Sequence, residues 1–96
     1  MNYDERCAIA SKDQGIDQLV SAINAKGISA TVEQSGGFTM VAYIELSNDK
    51  YIYANPYGAS TYDADGYLAD IVQYDAPQDS TIIASAISNY LKNKGE

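Results

Sequence analysis

Phe38-Thr39-Met40-Val41-Ala42-Tyr43-Ile44-Glu45-Leu46 decides the fold. Phe38, Met40, Ala42, Ile44 and Leu46 alternate with Thr39, Val41, Tyr43 and Glu45, the period-2 pattern of a strand with one covered face. On its N-terminal side, Ile28, Ala30 and Val32 alternate with Ser29, Thr31 and Glu33 as a second half-buried strand. Ser35-Gly36-Gly37 lies between the two and reads as a turn, since glycine takes positive φ without steric cost. On its C-terminal side, Ser47-Asn48-Asp49-Lys50 makes another turn, and residues 51–55 form a short strand with Ile52 and Ala54 on one face. Short connections and alternating polarity predict an antiparallel meander.

Further out, the period changes to that of a helix. Ile16, Leu19, Val20 and Ile23 fall at i, i+3, i+4 and i+7, which predicts a helix over 16–26. Ser11 or Asp13 is the expected cap, with Gly27 in the C′ position. Asn2, with Glu5 three residues later, opens a short extra helix reaching Ala10; the alternation of Cys7 and Ile9 leaves a strand as the alternative. Beyond the third strand, Asn55-Pro56-Tyr57-Gly58 is a break, and Asp63-Ala64-Asp65-Gly66 is a turn flanked by Tyr62 and Tyr67. Residues 68–74 read as a fourth strand, with Tyr67, Ala69 and Ile71 on one side and Leu68, Val72 and Tyr74 on the other; a one-turn helix is the alternative. Pro77 ends that segment. Asp79 or Ser80 then caps a last helix reaching about residue 92, with Ile83, Ile87 and Tyr90 on one face.

Two amphipathic helices need an apolar sheet face to cover. The expected fold is therefore a single α+β domain over 1–96, an antiparallel three- to four-stranded sheet with N- and C-terminal helices packed on one face. Its core brings Phe38, Met40, Ile44, Leu46 and Ile52 against Leu19, Val20, Ile23, Ile83 and Ile87. The opposite face would leave Thr39, Val41, Tyr43, Glu45, Tyr51 and Tyr53 exposed.

Composition removes whole classes of function. The chain has 96 residues, 13 acids against 6 bases, a net charge of -7, no His, no Trp, one Cys and nine Tyr. One cysteine makes no disulfide framework, and without histidine there is neither a Cys/His zinc site nor a His-dependent triad. Direct nucleic-acid binding needs a basic face that this balance does not supply. Residues 1–10 hold Asp4, Glu5 and Arg6 without an apolar run, which is unlike a signal peptide. No stretch reaches the ~20 apolar residues that span a bilayer. Cys7 fits a reducing, cytoplasmic setting and reads as a small core residue.

The bases are also segregated. They are Arg6, Lys12, Lys26, Lys50, Lys92 and Lys94, so nothing from Tyr51 to Leu91 is basic. That segment carries Asp63, Asp65, Asp70, Asp75 and Asp79 among its tyrosines. Tyr suits interface cores because it buries much area yet keeps a polar tip. A base-free acidic patch steers a basic partner. Tyr57, Tyr62, Asp63 and Asp65 are therefore candidate partner-binding residues, together with Tyr67, Asp70, Tyr74 and Asp75. The competing account is that acids keep a small protein soluble and that Tyr suits strands.

Other motifs do not reach a chemistry. In a calcium loop with Gly66 at position 6, positions 1 and 12 would be Thr61 and Val72, neither a carboxylate. Ser35-Gly36-Gly37-Phe38 lacks the lysine of a phosphate-binding loop. Cys7 has no histidine to activate it. No metal site, cofactor or catalytic residue is expected, and the chain is read as a non-enzyme.

Ile16-Asp17-Gln18-Leu19-Val20, the strand over 38–46 and the Asp/Tyr segment after it together resemble the small acidic inhibitors encoded by bacteriophages. Anti-CRISPR proteins, which block a CRISPR effector nuclease and look like DNA to its basic groove, are the nearest of these in outline. The resemblance covers residues 16–91 and carries over no individual residue. It implies a non-enzymatic, DNA-mimicking inhibitor acting in the host cytoplasm on a CRISPR effector or other basic nuclease, without touching nucleic acid or membrane. Two alternatives stay open: a small-ligand or peptide binding module that uses the sheet, as monomer or homodimer, and an immunity protein for a nuclease toxin.

Overall fold

The computed structural model describes residues 3–36 and 39–93. Three helices, α1 (Tyr3–Asp13), α2 (Ile16–Asn24) and α3 (Ser80–Asn93), enclose five strands in chain order: β1 (Thr31–Gly36), β2 (Thr39–Glu45), β3 (Tyr51–Asn55), β4 (Gly58–Asp63) and β5 (Gly66–Gln73). The strands form one antiparallel meander in the order β1-β2-β3-β4-β5. The α+β class follows the sequence reading; the strand number does not, because β4 lies where only a break and a turn were expected.

The β2–β3 loop turns at Asn48-Asp49, with φ of 63° and 61°. Asn and Asp tolerate this left-handed region better than other residues with a Cβ, and Leu46 N–H closes the loop onto the Lys50 carbonyl at 2.8 Å. The β3–β4 and β4–β5 loops close on side chains. Tyr57 N–H donates to Asn55 Oδ1, and Asp65 N–H to Asp63 Oδ1, both at 2.8 Å. The first of these reverses the chain at Pro56 and returns it as β4 rather than ending the sheet.

Register puts Met40, Ala42 and Ile44 of β2 on one face with Ile52 and Ala54 of β3 and Ala59 and Thr61 of β4. There they meet Ile16, Leu19 and Ile23 of α2 and Ile83, Ala84, Ile87 and Leu91 of α3 in one core. Val20, Ile28, Leu46 and Tyr90 pack half-buried at its margin. Thr61, the buried polar residue among those described, donates its hydroxyl to the Ala69 carbonyl at 3.1 Å. Phe38, expected in this core, lies outside the described residues, as do Gly37 and the side chain of Cys7.

Local details differ from the sequence reading. Residues 3–13 form the extra helix expected, three residues longer at its end than read, and not the alternative strand. Ser11 and Asp13 fall inside α1, so α2 is capped by no side chain and starts from Gly15, whose φ of 75° lets the chain turn sharply between helices. Gly27 has the positive φ expected of it (82°), but two residues past the C-cap Ala25 rather than one. The first strand runs over 31–36, not 28–33: Ile28 and Ala30 still reach the core, from an extended lead-in held by Ala30 N–H on Asn24 Oδ1 at 2.8 Å. At α3, Asp79 Oδ1 accepts from the Thr81 N–H at 3.2 Å, the cap expected. No helix is long and apolar enough to cross a membrane among the described residues.

Candidate functional site

The sheet face away from the core is built from the odd residues of β2 and β3. Tyr43 stands opposite Tyr53, and Tyr51 opposite Tyr62 of β4. Cross-strand neighbours on one face sit ~5 Å apart, within reach of aromatic rings. The rings make a continuous cluster: Tyr43–Tyr51 at 5.5 Å between centroids, Tyr51–Tyr53 at 5.0 Å and Tyr53–Tyr62 at 5.1 Å. Tyr51 and Tyr62 stack at 5.4 Å with planes 9° apart, and Tyr67 meets Tyr62 edge-on at 5.9 Å and 76°.

These rings shelter one another, so Tyr43, Tyr51, Tyr53 and Tyr62 are only half-exposed. Val41 was expected to face solvent, yet it is 6% exposed. It lies among them, lining the same depression as Tyr53 and Tyr57. The face is thus a thin second apolar layer with a polar skin of phenol hydroxyls.

β5 reaches this face through two irregularities. Ser60 pairs with Asp70 and Ala59 with Val72, which leaves Ile71 as an extra residue; Thr61 pairs with Ala69 and Tyr62 with Tyr67, which leaves Leu68 extra. Each bulge reverses the alternation. The expected sides of this strand are corrected accordingly. Tyr67 and Asp70 come to the tyrosine face, while Ala69 and Val72 pair with the core-facing residues of β4, and Ile71 and Val72 pack on the core. Ser60 Oγ then donates to Asp70 Oδ1 at 2.7 Å.

The electrostatics are one-signed. None of the five strands contains Lys or Arg, while Glu33, Glu45 and Asp70 stand on this face by register. Burial, then the charges of Glu45 and Glu33, hold the Tyr43 phenol above its usual pKa. Burial does the same to Tyr53, with smaller contributions from Tyr51 and Glu33. Tyr67 is raised first by the hydrogen bond that its hydroxyl gives to Asp70, a bond lost on ionisation.

Between Tyr57, Tyr62 and Tyr67 the face sinks into an open depression of about 370 Å³, with Ser60 and Asp70 on its wall. No residue of α1, α2 or α3 lines it. Of the residues singled out in the sequence, Tyr57, Tyr62, Tyr67 and Asp70 converge here. Asp63 and Asp65 lie on the β4–β5 turn at one end of the sheet. Tyr74 and Asp75 lie at the other, about 17 Å away along a six-residue strand. Tyr74 is half-buried against the core, and its N–H donates to the Tyr57 carbonyl at 2.8 Å. Tyr43, Tyr51 and Tyr53 were read as an exposed row that a sheet-binding module would use, not among the partner-binding candidates, and Ser60 was not singled out. The alternation of tyrosine along 43, 51 and 53 was the available signal.

Among the described residues no group of three or more His, Cys, Asp or Glu side chains is placed to hold a metal ion. No family model, no curated protein and no solved structure matches this chain.

Proposed function

We propose that the chain is a non-enzymatic binding protein whose tyrosine face docks on the basic surface of a nucleic-acid-handling protein and occludes it. The observation that carries this reading is the continuous ring cluster from Tyr43 to Tyr67, edged by Glu33, Glu45 and Asp70 on strands that contain no base. Aromatic rings supply contact area at low entropic cost, and the acidic edge supplies steering and register. Asp63 and Asp65, on the adjoining turn, extend the negative field toward the approaching partner. An anti-CRISPR-like inhibitor of a CRISPR effector, or an immunity protein for a nuclease toxin, would use such a face in the host cytoplasm. The depression of about 370 Å³ also favours a second reading, a module that holds an extended peptide across the sheet.

The test is affinity capture from the host cell with the wild type and with the double reversal Asp63→Lys, Asp65→Lys. A captured partner should be basic, should bind nucleic acid, and should be displaced by that nucleic acid. The double reversal should slow association and flatten its salt dependence. A partner that is acidic, or that binds both proteins at one rate, overturns the reading.

A further inference from the structure

The depression on the tyrosine face has the furnishings of a site for one particular cationic side chain. Its walls are Tyr53, Tyr62 and Tyr67, and the Tyr62 and Tyr67 rings stand 76° apart, so that a planar group lying flat on one meets the edge of the other. Asp70 accepts from the Ser60 hydroxyl at 2.7 Å, with Tyr67 beside it on the same face. A carboxylate has about four acceptor positions. One is taken by this bond, and Asp70 itself lines an open, base-free depression.

We propose that this depression receives the guanidinium of an arginine on the protein partner, stacked on a tyrosine ring and hydrogen-bonded to Asp70. The inference rests on reading the face as a docking surface for a basic protein, and it specifies that surface's chemistry. Arginine fits better than lysine for a geometric reason. Its guanidinium is flat, weakly hydrated and carries a rigid fork of donors, so it can stack and hydrogen-bond together. An ammonium is compact and strongly hydrated, and it gains from the charge of Asp70 but little from the ring walls. The two bulges of β5 are what make the arrangement possible, since they turn Tyr67 and Asp70 toward Ser60 and Tyr62 at once.

The experiment titrates the isotope-labelled full chain with acetyl-Arg-Gly-Arg-amide and with its lysine twin, following tyrosine ring resonances by NMR at low salt. The arginine peptide should bind about five- to tenfold more tightly than the lysine peptide and should move the rings of Tyr53, Tyr62 and Tyr67. Asp70→Asn, nearly isosteric at an exposed position, should remove most of the binding while leaving the amide spectrum dispersed. Tyr62→Leu should abolish the arginine preference; if it unfolds the chain, Tyr67→Leu at the 60%-exposed neighbour provides the same measurement. Equal affinity for the two peptides, or undiminished binding of the arginine peptide to Asp70→Asn, overturns the inference and leaves charge-driven docking of a basic partner standing. Failure of both peptides to shift any ring also overturns it, and the capture experiment then decides the docking reading separately.

Discussion

Tyr67 and Asp70 lie three residues apart on one strand and nevertheless share a face, where the Asp70 carboxylate holds the Tyr67 phenol above its ordinary pKa. A regular strand sends residues separated by an odd number to opposite faces. The extra residue at Leu68 restores the pair to one side, and its own 43% exposure shows that it is not there to fill the core. Asp70→Asn replaces that anion by a neutral amide. The Tyr67 phenol should then titrate closer to its ordinary value near 10. Tyr43 and Tyr53, raised by burial and by other neighbours, should keep their raised values. Residue-resolved NMR titration of the rings measures this directly.

The same three phenols make stability depend on alkaline pH. Each is raised in the folded chain, so the fold favours the neutral form more than the unfolded chain does. Their contribution is therefore intact below about pH 10 and is lost as pH climbs through the raised values. Urea midpoints should be level from pH 8 to about pH 9.5 and fall above pH 10. Replacing Tyr43 and Tyr53 by Phe should shift the onset of that fall upward. An unchanged onset in the double variant would remove the tyrosine cluster as its cause.

Ile44 and Val41 probe the two sides of β2. Ile44 is 2% exposed in the main core, and truncation to Ala should cost about 2–5 kcal/mol from lost transfer energy plus the cavity left behind. Val41 is 6% exposed beneath the tyrosines, so Val41→Ala should cost about 1.5–2.5 kcal/mol rather than the few tenths typical of a surface site. Denaturant unfolding of both variants measures the ratio. A negligible loss at Val41 would mean that the ring layer gives no dry packing.

Tyr51 and Tyr62 stack face to face across β3 and β4. A double-mutant cycle to Leu at both positions should return a coupling of about 0.5–1.5 kcal/mol, since aromatic pairs are worth that much beyond the area they bury. A coupling near zero would show that the rings act as independent cover for the strands.

Gly58 opens β4 where a Cβ would overlap the Val72 carbonyl oxygen on the paired strand. Gly58→Ala must push β5 away or lose pairing, and should cost about 2 kcal/mol or more. At Gly27 a Cβ meets nothing within 4 Å, so Ala there bears only the left-handed backbone penalty of about 1–2 kcal/mol. Thermal unfolding should rank Gly58→Ala as the less stable variant.

The strong periodic segments were legible. Ile16, Leu19 and Ile23, the even residues of β2, and Ile83 with Ile87 all reach the core that their spacing predicts. β4 was not legible. Gly58-Ala59-Ser60-Thr61-Tyr62-Asp63 has no apolar alternation, and its core-facing residues are only Ala59 and Thr61. It is a strand because β3 and β5 satisfy its backbone from both sides, and that pairing does not show in side chains. The site was half legible for the same reason: tyrosines and aspartates were visible as types, but the candidate set divided between the open face and the two ends of the sheet.

The chain's sequence alone determined the charge segregation, since where lysine and arginine are absent is a matter of residue identity that no folding alters. It also determined which faces of α2, β2 and α3 are apolar, because a side chain's direction follows the local backbone period. Only the tertiary structure decided that Asp70 joins Tyr62 and Tyr67, and that Val41 is covered. Both depend on strand register, and one inserted residue at Leu68 or Ile71 reverses the face of every residue beyond it until a second insertion reverses it back.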